Sequence, residues 1–419
     1  MNGSNGVWIT GVGLASPLGY DLAQFTESLL AGRCAIQRVT KMQIEGHPSQ
    51  IAAELKHIPR PTELDETFWQ SCAPLEQLAL WCVVRALQEA DLWRQREAIR
   101  IGVVLGLGAE WPYFWERAWF AWEHERIAPH RPAALVVQRQ NARIPQAPLV
   151  HRICDRLGIR GPRLTVAAAC ASGNYALGLA RQWIRSARVE VCLAGGCDLP
   201  VTPLSMSCFG NLRALSRRND NPQGACRPFD RQRDGFVMGE GGAVFVLESE
   251  QHARRRGAAP LAAIVGFGAS SDASHLVIPS NDPHPTAEAL RRALADARIA
   301  PDEIDYLNAH APGTPAGDRC EARVIQLVFQ EAAKRVPVSS TKSMTGHGVT
   351  AASALEAAVC IGALRAQAIP PTINLEDPDP ECDLCHVPRQ ARPAKLRIVA
   401  SNSFGFGGNN TMLILRRVA

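Results

Sequence analysis

Short continuous apolar runs ending in glycines recur along this 419-residue chain, and between them the spacing changes to that of helices. VWITGVG (7–13) predicts a strand entering a glycine loop. Gly11-Val12-Gly13 lacks the third glycine of a dinucleotide fingerprint, so it does not carry a Rossmann reading. PLEQLALWCVVRALQEADL (74–92) has helical apolar spacing. IRIGVVLGLG (99–108), VEVCLAGGCD (189–198) and GEGGAVFVLES (239–249) predict buried strands that run into or out of glycine turns. The pattern predicts an α/β class with strands covered on both faces.

A second half begins near residue 260. PLAAIVGFGASSDA predicts a strand followed by small residues, and IDYLNAHAPGT (304–314) a strand ending near His310. VPVSSTKSMTGHGVTAASALEAAVCIGALRA (336–366) reads as strand, loop and alanine-rich helix, the same layout as 164–186. The halves, 1–258 and 259–419, read as two copies of one unit with reactive residues at matching strand-to-helix turns. Residues 110–145 interrupt the first half with an aromatic-rich insertion holding four of the nine tryptophans. Core or dimer packing is one reading of it, and a cap over an apolar pocket is the other.

Bulk composition narrows the function classes. Hydrophobic residues are 46% and charged residues 20%, which suits a large core. A net charge of +5 is too mild to argue for a nucleic-acid ligand, although a basic patch for an acidic partner fits. No signal peptide or membrane-length run stands out, so a soluble cytosolic protein is expected. The thirteen cysteines are scattered and odd in number, which predicts reduced, mostly buried thiols. Cys382, Cys385 and His386 match the haem-attachment pattern, but the match stands alone after a proline-rich stretch and reads as coincidence. No second ligand pair for zinc lies nearby.

TVAAACASGNYALG (165–178) poses the chemical question. Cys170 is either a small buried hydrophobe or a nucleophile at a helix N-terminus, where the dipole favours thiolate.

AAACASG around Cys170, NAH at His310, SSTKSMTGH with Lys342 and His347, and SNSFGFGGNN at Phe404 occur in an order that resembles the β-ketoacyl-acyl-carrier-protein synthases, in particular the type II elongating enzyme. RALSRRNDNP, RPFDRQRDGFVMGEGGAVFVLE and PPTINLEDPDPECDL extend the resemblance over about residues 7–417. It implies the thiolase fold, a duplicated α/β unit in five αβαβα layers, usually a homodimer, with a heterodimer with a ketosynthase-like subunit as the other arrangement. It further implies a carbon–carbon condensation in which Cys170 holds an acyl group as a thioester and His310 and His347 donate to the enolate oxygen formed when a malonyl thioester loses CO2, with Lys342 in an orienting and electrostatic role. Phe404 would gate the acyl pocket and pair its N–H with that of Cys170 as an oxyanion hole. Thr314, Phe209 and Phe406 would bind substrate. Asn308, Glu356, Ser401 and Asn402 match positions that hold a monovalent cation in some relatives. No cofactor is expected beyond the phosphopantetheine arm of an acyl carrier protein.

The chain departs from that family at several points. His310-Ala311-Pro312-Gly313-Thr314 keeps one of two pantetheine-binding threonines, and Val277 replaces a third in the tunnel. Each loses a hydrogen bond worth about 0.5–1.5 kcal/mol. Thr350 and Ser353 stand where the family keeps glycines. The stretch 62–72, expected to be basic for carrier docking, is acidic. Arg131, Arg213, Arg217 and Arg218 remain to meet an acidic carrier. These departures point to a specialised condensing enzyme. A non-elongating partner subunit is disfavoured by Cys170 and both histidines. A related acyltransferase, thiolase or decarboxylase is the third reading.

Overall fold

The computed structural model of the chain describes residues 6–108 and 148–418. The aromatic-rich insertion and Arg131 lie outside the described residues. Eleven strands form the main sheet: β1 (Val7–Ala15), β2 (Ile101–Leu107), β3 (Arg163–Val166), β4 (Val191–Asp198), β5 (Gly241–Ser249), β6 (Ala262–Ser271), β7 (Tyr306–Asn308), β8 (Pro337–Ser339), β9 (Cys385–His386), β10 (Ile398–Gly405) and β11 (Asn409–Arg416). Their order is β9-β8-β7-β10-β11-β6-β1-β5-β4-β2-β3.

This order reads the same outward from its middle. β1 and β6 join through two residue pairs, Trp8–Ala263 and Ile9–Ala262. On one side follow β5 and β4, each antiparallel to its predecessor, then β2 and β3 in parallel. On the other side follow β11 and β10, then β7 and β8, with the same senses. The repeated layout seen in the sequence is therefore a repeated topology.

Two helices, α2 (Ser172–Arg185) and α5 (Ala352–Ala366), pack against strands of both halves. α1 (Pro74–Glu89) covers the outer face of the first half, and α3 (His284–Ala297) and α4 (Pro315–Phe329) that of the second. The result is five layers, αβαβα. Strands inside such a stack are buried on both faces, yet they still alternate. Ala243, Phe245 and Leu247 of β5 enter the central core, while Val244 and Val246 enter the outer one. Every residue from Ala352 to Leu364 of α5 is buried, as expected for a helix that is apolar all round. The segment Val349–Ala366 has the length and composition of a membrane span, but its place is the protein core.

β1 corrects one expectation. The strand does not stop at a glycine loop but continues to Ala15. Gly11 and Gly13 lie within it because α1 crosses so closely. A Cβ there would fall 2.4 Å from the Ala86 carbonyl oxygen and 1.9 Å from that of Cys82. At the far edge of the sheet, β3 has no outer neighbour among the described residues, and its Leu164 is 39% exposed. All thirteen cysteines are free thiols, eight of them buried. Cys382 is buried in the second half's core, and His386 bonds its own chain at the Cys382 carbonyl (2.7 Å).

Candidate active site

Cys170 stands in the turn between β3 and α2, two residues before the helix begins. The preceding Ala169 has φ +49°, a left-handed conformation unusual for a residue with a side chain. Ser172 steadies that turn. Its hydroxyl donates to the Ala169 carbonyl at 2.7 Å and accepts from the Ala168 N–H at 2.9 Å. Gly405 at the end of β10 passes alongside, where a Cβ would lie 2.8 Å from the Ala168 oxygen and 3.1 Å from the Cys170 nitrogen. Only a glycine allows that approach.

The sequence reading expected the helix start to favour thiolate. The structure places the sulfur ahead of α2, in a buried position. Burial pushes the thiol up to about 12, with the Lys342 charge and the backbone N–H groups of Phe406 and Cys170 acting in the opposite direction. The proton therefore rests on sulfur. Phe404 and Phe406 flank Gly405 where it passes this turn, and both line the cavity beside Cys170. Phe404 is still inside the strand, opposite Asn410.

His310 follows β7, and His347 follows a short helix, Lys342–Thr345. Nε2 of His347 lies 3.0 Å from Sγ of Cys170. The two imidazoles stand edge to face with centroids 5.3 Å apart. Reactive atoms of Cys170, His310 and His347 all lie within 4.8 Å of one another. Burial, reinforced by the Lys342 charge, holds both imidazoles well below their ordinary range, so both rings are neutral near pH 7.

Lys342 is 1% exposed. Its ammonium donates to the His310 carbonyl and to Glu356. Burial pushes Glu356 up to about 7 against the pull of Lys342. The His310 N–H donates to Glu321 at 2.9 Å, so the backbone on both sides of the imidazole is pinned. Nearby, Asn308 and Ser401 face each other in the β7–β10 ladder. Oδ1 of Asn308, Oε2 of Glu356, Oγ of Ser401 and Oδ1 of Asn402 are buried without hydrogen-bond partners among the described residues. These hard oxygen donors fit a monovalent cation.

Cys170, His310 and His347 line a cavity of about 380 Å3. Phe209, Phe404 and Phe406 lie on its walls, with Phe209 edge-on to Phe236 at 5.4 Å and tilted against Phe406 at 6.2 Å. Val277, Pro312 and Thr314 line it further out, and so does Arg213. The Thr314 hydroxyl oxygen accepts from Gly317 N–H (3.2 Å) as the N-cap of α4, which leaves its hydrogen to a ligand. Arg217 and Arg218 lie outside the cavity lining, and Arg218 is engaged by Asp234 and the Gln232 carbonyl.

Family models agree with this arrangement. The model described as "Beta-ketoacyl synthase, N-terminal domain" matches residues 4–253, and that described as "Beta-ketoacyl synthase, C-terminal domain" matches residues 261–376. The chain belongs to the β-ketoacyl synthase family. It is 38% identical over 416 residues to the 3-oxoacyl-[acyl-carrier-protein] synthase 2 of Coxiella burnetii, covering 98% of both chains. Among solved structures it resembles a type II PKS ketosynthase that was captured with its acyl-carrier protein and bound to the hexaketide. That match has a TM-score of 0.88 at 29% identity, covering 99% of each chain. It also resembles the ishigamide ketosynthase/chain length factor, with a TM-score of 0.85 at 33% identity and 99% of each chain covered. The five-layer fold is thus the thiolase fold of this family.

Two acids of this β-ketoacyl synthase escaped the sequence reading. Asp318 and Glu321 sit three residues apart on the buried face of α4. Glu321 accepts from the N–H groups of His310 and Ala311, and Asp318 from those of Gly313 and Phe229. Arg233 completes the clamp by donating to the Thr314 and Pro315 carbonyls. Buried acids at i and i+3 amid apolar residues were the available signal.

Proposed function

We propose that this β-ketoacyl synthase condenses an acyl group with a malonyl group, both carried on acyl carrier protein, by decarboxylative Claisen chemistry. The observation that carries this reading is the meeting of the Cys170 thiol with two neutral imidazoles at the floor of one apolar cavity. Sγ of Cys170 attacks the acyl thioester, its proton passes to the departing carrier thiol, and a thioester on Cys170 remains. The backbone N–H groups of Cys170 and Phe404 hold the oxyanion of that step. Once the sulfur is acylated, Nε2 of His347 is released to face the next thioester. The malonyl group then loses CO2, and His310 and His347 donate to the enolate oxygen that forms. The enolate carbon attacks the acyl carbonyl, Cys170 leaves as the thiolate and takes a proton from solvent, and the β-ketoacyl carrier departs. Lys342 holds the His310 loop and adds positive field near the sulfur.

Phe209, Phe406 and Phe404 shape the acyl pocket, and the Thr314 hydroxyl meets the phosphopantetheine arm. Asn308, Glu356, Ser401 and Asn402 would hold a monovalent cation whose part is structural. The acidic carrier docks at the cavity mouth against Arg213, helped by Arg217, Arg218 and Arg131. A second subunit, either another copy or a ketosynthase-like partner, pairs with the open edge of β3. The two halves divide near 258/259, and the enzyme works in the cytosol in a fatty-acid or specialised polyketide-like pathway.

The test mixes the purified protein with a panel of acyl carriers and malonyl carrier and weighs products and peptides. A single acyl adduct on Cys170 and a product two carbons longer are expected. An adduct on another cysteine, or undiminished condensation by Cys170→Ser, would overturn the assignment.

A further inference from the structure

The first backbone hydrogen bond of α2 runs from the Tyr175 N–H to the Ala171 carbonyl (3.0 Å), and the helix does not extend one residue further back to Cys170. In a regular helix the N–H of residue i reaches the carbonyl of i−4, which for Asn174 is that of Cys170. Here the Asn174 N–H donates instead to Oγ of Ser353 at 3.1 Å. The Cys170 carbonyl accepts from Oγ of Ser403 at 2.9 Å. Two hydroxyls thus stand in for one backbone bond, and both come from the other half of the chain. Ser353 lies on the first turn of α5, and Ser403 on β10. Both serines are completely buried. Ser403 leads into Phe404 and Phe406 of the cavity wall, and Ser353 follows closely on His347. Each serine therefore ties the Cys170 turn to a segment that carries one of its partners. Ser353 also stands where the resembled family keeps a glycine, so this hydroxyl is a feature of this chain.

We propose that Ser353 and Ser403 are positioning residues, which hold the Cys170 peptide apart from α2 and so set Sγ against His347 Nε2. Without the Ser353 hydroxyl, the Asn174 N–H is left buried and unpaired, or it takes the Cys170 carbonyl from Ser403. The second course pulls the turn into the helix and carries the sulfur with it. The assignment of Cys170 as nucleophile is that of the proposed function.

The experiment compares Ser353→Ala, Ser353→Gly, Ser403→Ala and the double Ser353→Ala/Ser403→Ala with wild type. Three rates are read: alkylation of Cys170 by iodoacetamide against pH, single-turnover acylation by acyl carrier, and CO2 release from malonyl carrier. One lost positioning bond slows alkylation and acylation about three- to tenfold. Its alkylation profile should move to higher pH. CO2 release, which depends on His310 and His347, stays within about twofold of wild type. The double variant, which removes both holds on the turn and frees it to join the helix, should be at least as slow as the slower single. Ser353→Gly reads the same quantity if Ser353→Ala does not fold. Unchanged alkylation and acylation in the folded variants would overturn the proposal. So would an equal fall in all three rates, which is a structural effect only. Alkylation needs no substrate, so if wild type performs neither half-reaction the proposed function fails while the positioning claim is still decided.

Discussion

Nε2 of His347 and Sγ of Cys170 touch at 3.0 Å across 177 residues of sequence. With the thiol pushed up and the imidazole pushed down by the same burial, the contact is a neutral thiol–imidazole pair. It is not a standing ion pair. Reactivity therefore depends on geometry at the moment of attack. Cys72, Cys154 and Cys320 are also pushed up, each to about 11, and none has this constellation around it.

The histidines should divide the reaction in two. His310→Ala and His347→Ala are each expected to lower malonyl decarboxylation by about 10²–10³. His310→Ala should keep acyl transfer to Cys170, because its ring is not the one against sulfur. Equal loss of both half-reactions in folded His310→Ala would show the roles misplaced.

The same two rings set a pH dependence. Their folded values lie well below the ordinary 6.5. As pH falls through 6.5, the unfolded chain takes up protons that the folded chain refuses. The two histidines therefore cost the fold stability at pH values below about 6.5 and are neutral in effect above it. The buried acids Asp198, Asp318 and Glu356, pushed up to about 7, act in the opposite sense over this range, so the histidine effect is read as a difference: relative to wild type, His310→Gln should gain in urea midpoint at pH 5 compared with pH 7. A midpoint slope unaltered by that substitution would contradict this account.

Lys342 and Glu356 form a buried ion pair, and breaking one side strands the other. Lys342→Ala is expected to cost about 3–5 kcal/mol, since Glu356 and the His310 carbonyl both lose their donor. The double replacement Lys342→Met with Glu356→Gln should cost less than Lys342→Ala. Urea unfolding of these two variants and of the singles Lys342→Met and Glu356→Gln decides it, and additive losses in the cycle would mean the pair is not coupled.

Val277 and Pro312 both line the cavity, where the resembled family has threonines. The native substrate should then offset two lost hydrogen bonds through a longer apolar chain, at about 0.8 kcal/mol per buried methylene. Pro312→Thr with Val277→Thr should raise activity with short-chain acyl carriers and matter less for long ones. The single variants separate the hydrogen bond from the loop shape that proline imposes. A double variant no better than wild type on every carrier would remove this explanation of substrate preference.

The Cys170, His310 and His347 donor atoms also form the kind of sulfur and nitrogen set that zinc prefers. Added Zn2+ should inhibit, chelator should restore activity, and prior acylation of Cys170 should protect. If Cys170→Ser binds zinc as tightly as wild type, the metal sits elsewhere.

Strands were legible where burial is decided by the strand's own residues. The runs at 99–108, 189–198 and 239–249 contain β2, β4 and the whole of β5, and 74–92 contains α1. Gly11 and Gly13 misled because their cause is α1, distant in sequence. Asp318 and Glu321 went unnoticed because their partners are backbone groups of another loop, which have no signature in side-chain order. The acidic 62–72 stretch caps and forms a short surface helix, Glu66–Ser71, with Trp69 turned into the core.

The complete burial of α5 has a thermodynamic consequence. Its apolar circumference is the floor of both halves of the sheet at once, and α2 shares that duty. Neither half therefore owns a finished interior. Cleavage of the chain within 257–261, between the short helix Glu250–Arg255 and β6, would leave two fragments that each expose one side of the central layer. Separately they should aggregate, and mixed they should reassemble. Intact, the whole molecule should unfold in one cooperative transition, despite carrying two copies of the same plan.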